Sequence, residues 1–368
     1  MSAQRSNECE NDQLNPSSVV DTGNSLGCVS RRELLTGMTA LAATAMIPAR
    51  EAVAQGSARP HRIDVHHHYT GANWAPGPVI ELMDKAGIAT AILSRPGGYA
   101  VSQPEQARKM ARENNELGAK HARDNPGRFG FFASLPLFDV EGSLREIAYS
   151  FDVLKADGAC LVTSYETRWV GDPAFAPVFD ELNRRKAVVF VHPSVPTVCS
   201  KIDLKTSIAT EGVTLPMLEN QFDTARGVVS LILNGNLTLR PDIRFIFCHG
   251  GGAVTTLHER LDHLIGDDLG KRRTDGNSDG SYRSKYVPNG FDNELKKLYL
   301  DVVRVANPAN LALLTKVMTP DHLLFGSDYP PVPMDETATR LPKVGLDAKL
   351  LRAVERDNAQ RLFPRFKA

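Results

Sequence analysis

An excess of charge of either sign is missing from this chain. Its 368 residues carry 43 Lys+Arg against 43 Asp+Glu, a formal net charge of zero. No basic stripe points to nucleic acid and no polybasic tract to an anionic lipid surface, so a small molecule is the expected partner. Cysteine is scarce. The five residues, Cys9, Cys28, Cys160, Cys199 and Cys248, include no pair at CxxC spacing, which argues against a disulfide framework. Cys160 and Cys248 lie in apolar runs, where a small buried thiol is the plain expectation. Long hydrophobic runs are absent too, and with them any expected membrane span of the mature chain. What remains, 42% hydrophobic and 23% charged residues, is an ordinary globular composition able to bury one large core.

Residues 1–29 are rich in Ser, Asn, Asp and Glu without periodicity and are expected to be disordered. Ser30-Arg31-Arg32-Glu33-Leu34-Leu35 then precedes a short, weakly apolar stretch, and Ala52-Val53-Ala54 offers the small-x-small pattern that signal peptidases accept. The order of these features reads as a twin-arginine export signal over 30–54, with a periplasmic or secreted mature protein. That route carries folded, cofactor-loaded proteins.

From residue 61 to 366, short β-rich runs alternate with amphipathic stretches. Strands are expected at 62–68, 89–94, 129–135, 158–163, 188–192, 244–249, 298–303 and 323–328. Helices are expected between them, among others at 104–124, 142–155, 175–186, 218–239 and 307–318. Alternation of this kind implies βαβ units and a parallel sheet. Eight units with strands apolar on both faces fit a closed (β/α)8 TIM barrel, which commonly uses about 250 residues. Residues 195–217 and 266–290 fall outside the pattern. The first is expected to border the active site, the second to be mobile or to meet another subunit.

Polar residues collect at the strand C-termini. The first strand ends in His66-His67-His68, the fifth in His192, the sixth in His249 and the eighth in Asp328. In a barrel these ends converge on one face. Residues two apart on a strand share a side, so His66 and His68 are expected to point inward together with Asp64, and His67 outward. A lone histidine at a strand end is usually a packed core residue. Three imidazoles and a carboxylate at four converging ends instead make a ligand set for Zn2+, with Mn2+ as the alternative. His61, His121, His258, His263 and His322 are expected at the surface.

Ile63-Asp64-Val65-His66-His67-His68, Phe190-Val191-His192-Pro193, Cys248-His249-Gly250-Gly251-Gly252 and Phe325-Gly326-Ser327-Asp328-Tyr329-Pro330 resemble the motifs of the aminocarboxymuconate-semialdehyde decarboxylase-like branch of the amidohydrolases. Residues 355–363 resemble the C-terminal helix of that branch. The stretches GRFGFFASLPL, GDPAFAPVFDELNRR and PDIRFIFCHGGG are similar to its 6-methylsalicylate decarboxylase group. The resemblance implies that His66, His68, His192 and Asp328 are metal ligands and that His249 is the catalytic histidine beside the metal. It also implies that Arg260 reaches the active site of the neighbouring subunit in a homodimer, where it grips the substrate carboxylate. Arg95, at the end of the second strand, is a second candidate for that grip.

The expected reaction is nonoxidative decarboxylation of a hydroxybenzoate-like acid, with Asp328 as candidate proton donor and His249 orienting the substrate or relaying the proton. The same ligands can activate water, with Asp328 as base, to hydrolyse an ester, lactone or amide, because fold and ligands do not fix the reaction. A metal-binding protein without catalysis is the third class. It fits poorly with titratable side chains at every candidate catalytic position.

Overall fold

A computed structural model describes residues 61–97, 103–194, 215–263, 265 and 286–366. The export signal, residues 195–214 of the first irregular loop and residues 266–285 of the second lie outside the described residues. One eight-stranded sheet organises the rest. Its strands are β1 (Arg62–His68), β2 (Ile88–Ser94), β3 (Phe129–Ser134), β4 (Gly158–Val162), β5 (Val188–His192), β6 (Arg244–Phe247), β7 (Tyr299–Asp301) and β8 (Leu323–Leu324). Each pairs in parallel with the next in chain order. The ring closes between its ends. Val65 N donates to Phe325 O at 3.1 Å, Asp328 N to His66 O at 2.7 Å and His68 N to Tyr329 O at 2.8 Å, and His67 bridges Tyr329 in parallel.

These runs form strands because they are β-branched or aromatic and apolar on both faces, as Val188-Val189-Phe190-Val191 shows, and almost every position in them is buried. Helices α1 (Pro76–Lys85), α2 (Pro104–Asp124), α3 (Val140–Ala148), α4 (Ala176–Arg184), α5 (Leu215–Leu233), α6 (Val254–His263) and α7 (Pro308–Val317) follow the first seven strands. Local chemistry starts several of them. The Asp139 side chain caps α3 by accepting from Gly142 N, and Asn307 caps α7 by accepting from Asn310 N.

The larger apolar cluster lies between sheet and helices, joining Leu93, Phe131, Leu161, Val191 and Phe247 to residues such as Met83, Phe179, Leu231 and Leu314. A smaller cluster fills the barrel itself with Ile63, Val65, Ile92, Phe132, Phe190 and Leu324. Phe132 stacks on Phe190 with ring centroids 5.3 Å apart, and Phe363 and Phe366 from the chain's end complete the layer. This packed floor leaves only the C-terminal ends of the strands for chemistry.

Two expectations change. Asp64 does not join His66 and His68. Ile63 and Val65 take the inward places, and a register shift between Asp64 and His67 brings His66 and His68 inward instead. The Asp64 carboxylate turns to His67 Nδ1 at 2.9 Å and to Ser327. His121 is buried rather than superficial. Its ring meets Trp74 edge-on at 4.7 Å, where α2 covers the segment after β1.

Candidate active site

The site is built from strand ends that the ring brings together. His66 and His68 are the last inward residues of β1, His192 ends β5, and Asp328 lies just beyond β8 on the stretch hydrogen-bonded back to β1. Ligand-capable atoms of His66, His68, His192 and Asp328 all fall within 4.8 Å of one another. His66 Nε2 and His68 Nε2 are 3.2 Å apart, and each is 3.2 Å from Asp328 Oδ1. A tetrahedral zinc site, with ligands about 2.0–2.1 Å from the ion, has edges of about 3.3–3.4 Å, so these spacings fit a divalent cation.

The second ring nitrogens fix which lone pairs face inward. His66 Nδ1 bonds Asp301 Oδ2 at 2.8 Å. His68 Nδ1 bonds Ser94 Oγ at 2.9 Å, while that hydroxyl donates to His67 O at 3.3 Å. His192 Nδ1 donates to Pro193 O at 2.7 Å. Each Nδ1 therefore carries the proton, and each Nε2 turns an unprotonated lone pair toward the same point as the Asp328 carboxylate. A cation bound here would replace any proton shared among these nitrogens and the carboxylate, and a buried set of three imidazoles and a carboxylate with this spacing fits a metal.

Without a cation, the close packing of these groups shifts them in opposite directions. Burial lowers the His68 imidazole, and His66 and His67 add to the effect. Burial and the imidazoles of His68, His66 and His249 push His192 well below the usual histidine range. His66 goes the other way. Burial opposes its charge, but Cys248, Asp328 and Asp301 together raise it well above that range. For Asp328, burial works upward and is outweighed by the His66 charge and by hydrogen bonds from His249, His66 and His68, so its carboxyl is held far below the ordinary range.

His249 stands apart from the four. Its Nε2 bonds Asp328 Oδ2 at 3.2 Å, and its buried Nδ1 has no hydrogen-bond partner among the described residues. His249 has φ 54°, Gly250–Gly252 are also left-handed, and Asp328 has φ 57°. Non-glycine residues in this region are uncommon and collect at functional sites. Gly252 has no room for a side chain, since a Cβ there would meet Gln221 O at 2.4 Å.

Residues 63–365 match the amidohydrolase family model. This chain belongs to the amidohydrolase family. The amidohydrolase is 34% identical over 342 residues to the decarboxylase macB of Penicillium terrestre, covering 83% of this chain and 96% of that one. It is 32% identical over 340 residues to a 6-methylsalicylic acid decarboxylase of Aspergillus aculeatus, covering 83% and 97%. Among solved structures it shares its fold with a dihydroxybenzoic acid decarboxylase of Polaromonas, crystallised with manganese and the inhibitor 2-nitroresorcinol. There the TM-score is 0.70 at 20% identity, with 84% of this chain and 98% of that one covered.

The two candidate arginines of the amidohydrolase take their places at the second strand's end and on α6. Arg95 follows Ser94 at the end of β2, half-buried, and its Nη1 donates to Asn114 Oδ1 on α2 at 2.7 Å. Arg260 is exposed on α6 and forms no ion pair with a described residue. Asp301 and Ser94 belong to the site although the sequence pattern alone did not single them out. Asp301 Oδ1 also accepts from His249 N at 2.9 Å, so one carboxylate orients His66 and pins the His249 turn. Its signal in the sequence is a lone acid inside the apolar run Leu298-Tyr299-Leu300-Asp301-Val302-Val303.

Proposed function

We propose that this amidohydrolase removes CO2 without oxidation from an aromatic acid carrying a hydroxyl beside its carboxylate, a salicylate-type acid. The observation that carries this reading is similarity at 30–34% identity, over 83% of the chain, to four proteins named as decarboxylases. One divalent cation, Zn2+ or Mn2+, bound by His66, His68, His192 and Asp328, supplies Lewis acidity toward the carboxylate and the neighbouring hydroxyl. The chain's own residues handle the proton. As a carboxylate ligand of the cation Asp328 would only accept, so the hydrogen in the His249–Asp328 bond would belong to the imidazole. We therefore assign His249 as proton donor and Asp328 as the group that orients it.

In the reaction the ring carbon bearing the carboxylate takes the proton. The bond to the carboxylate then breaks, its electron pair restores the aromatic ring, and CO2 leaves. An arginine neutralises the acid group during binding. Arg95 is the candidate for this role from within the chain, and Arg260, exposed on α6, is the candidate for the site of a second copy in a homodimer. We also propose export by the twin-arginine route. The test is metal-replete protein incubated with 6-methylsalicylate, salicylate and 2,6-dihydroxybenzoate, beside p-nitrophenyl esters and aryl lactones. Release of CO2 with an equal amount of the corresponding phenol is expected. Ester or lactone cleavage without CO2 from any acid overturns the proposal in favour of hydrolysis.

A further inference from the structure

The carbonyl that receives the His192 proton is half of a peptide held at both ends. Pro193 O accepts from His192 Nδ1 at 2.7 Å. The amide of the same peptide plane, Ser194 N, donates to Asp223 Oδ2 at 2.9 Å and lies 3.0 Å from Thr163 Oγ1. The Thr163 hydroxyl donates to that same carboxylate oxygen, and Thr163 N donates to His192 O at 2.9 Å. Asp223 belongs to α5, outside the sheet, and is fully buried.

A peptide unit is planar, so its carbonyl and amide turn together. Proline fixes its own φ, which leaves ψ of Pro193 as the soft torsion on that side of this plane. Holding Ser194 N thus holds Pro193 O. We propose that Asp223 is a positioning residue that acts through the Pro193–Ser194 peptide to keep the proton of His192 on Nδ1 and its Nε2 free for the cation. It touches neither substrate nor cation. A packing role does not account for a buried carboxylate whose second oxygen, Oδ1, has no partner among the described residues, because such a group is costly to bury. An acceptor on the Ser194 amide does account for it.

The proposal rests on the reading of His192 as a ligand, and the experiment separates the two. Metal-free wild type, Asp223→Ala, Asp223→Asn and His66→Ala are titrated with Co2+, following the visible absorption of the bound ion. Zinc-loaded, 15N-histidine-labelled protein reports the His192 tautomer by NMR. Asp223→Ala is expected to weaken Co2+ binding by about 10–100-fold, the usual effect of losing an outer-shell partner, and to lose the protonated Nδ1 signal of His192. Asp223→Asn, which keeps an acceptor oxygen, is expected to recover most of both. Unchanged Co2+ affinity in Asp223→Ala with a lowered denaturation midpoint makes Asp223 merely structural and overturns the proposal. If His66→Ala also binds Co2+ normally, the metal site itself is wrong. If Asp223→Ala does not fold, Thr163→Val removes the other side chain on the Ser194 amide and must weaken Co2+ in the same direction. Undiminished affinity there overturns the proposal as well.

Discussion

Replacing Asp223 by asparagine should stabilise the metal-free protein at neutral pH, and the size of the effect follows from the structure. Burial pushes the Asp223 carboxyl up from 3.8 to about 6, against the lowering effect of its bonds to Thr163 and Ser194. A shift of about two units at 1.36 kcal/mol each amounts to about 3 kcal/mol. The folded protein holds this proton more tightly than the unfolded chain does. Below pH 3.8 both states are protonated and nothing is lost. As pH rises from about 4 to 6 the unfolded chain ionises first, so stability falls, and above pH 6 the full penalty stands. Asparagine carries no such penalty. Urea unfolding of wild type and Asp223→Asn, both with chelator, should show a difference in stability that grows with pH, by about 1 kcal/mol between pH 3 and pH 4.5 and by up to about 3 kcal/mol in favour of the variant by pH 8. A variant less stable than wild type at pH 8, or a difference that does not change with pH, refutes the reasoning that Asp223 is kept for its acceptor oxygen at the expense of a buried charge.

Purified protein should hold about one divalent ion per chain. His66→Ala and Asp328→Ala should strip it, and Asp301→Asn, which weakens the acceptor on His66 Nδ1, should lower affinity by about 10–100-fold by metal analysis after dialysis. His249→Ala should fold and retain metal but lose turnover by about 10²-fold or more, and a near-native rate would demote it to packing. Mixing Arg260→Ala with His249→Ala should restore activity toward roughly a quarter of wild type if Arg260 serves the partner's site, because random hybrids carry one site with both groups intact. No recovery after exchange is confirmed with differently tagged chains would assign Arg260 to its own subunit or to no catalytic role.

Most of the barrel could be read from the chain because its strands are continuous apolar runs, and a strand buried on both faces has to be apolar throughout. All eight runs identified in this way overlap an observed strand. The converging histidines were legible because an imidazole at the end of such a run is costly to bury unless a partner waits for it there. What periodicity could not supply was phase and partnership. The register shift within Asp64–His67 breaks the two-residue rule in the strand where the rule mattered most. Asp301 reaches His66 from 235 positions away and Ser94 reaches His68 from 26, contacts that nothing local announces. His121 looked superficial because α2 is polar on most of its faces, yet this residue lies on the one that covers Trp74.

The candidate ligands straddle the junction where the ring's first strand meets its last, and this orders events in time. On a growing chain His66 and His68 appear early and His192 near the middle, whereas Asp328 and the bonds from Asp328 N to His66 O and from His68 N to Tyr329 O come close to the end. A nascent chain still short of Asp328 lacks both the fourth donor and the seam that aims the first two. If the proposed cation needs all four donors, it would be held only once the ring has shut, and withdrawing it is expected to loosen the molecule first at that junction, where amide hydrogens of His68 and Asp328 should begin to exchange. If the twin-arginine signal acts as proposed, the compartment in which the ring closes, rather than the one in which the enzyme works, decides which metal it carries.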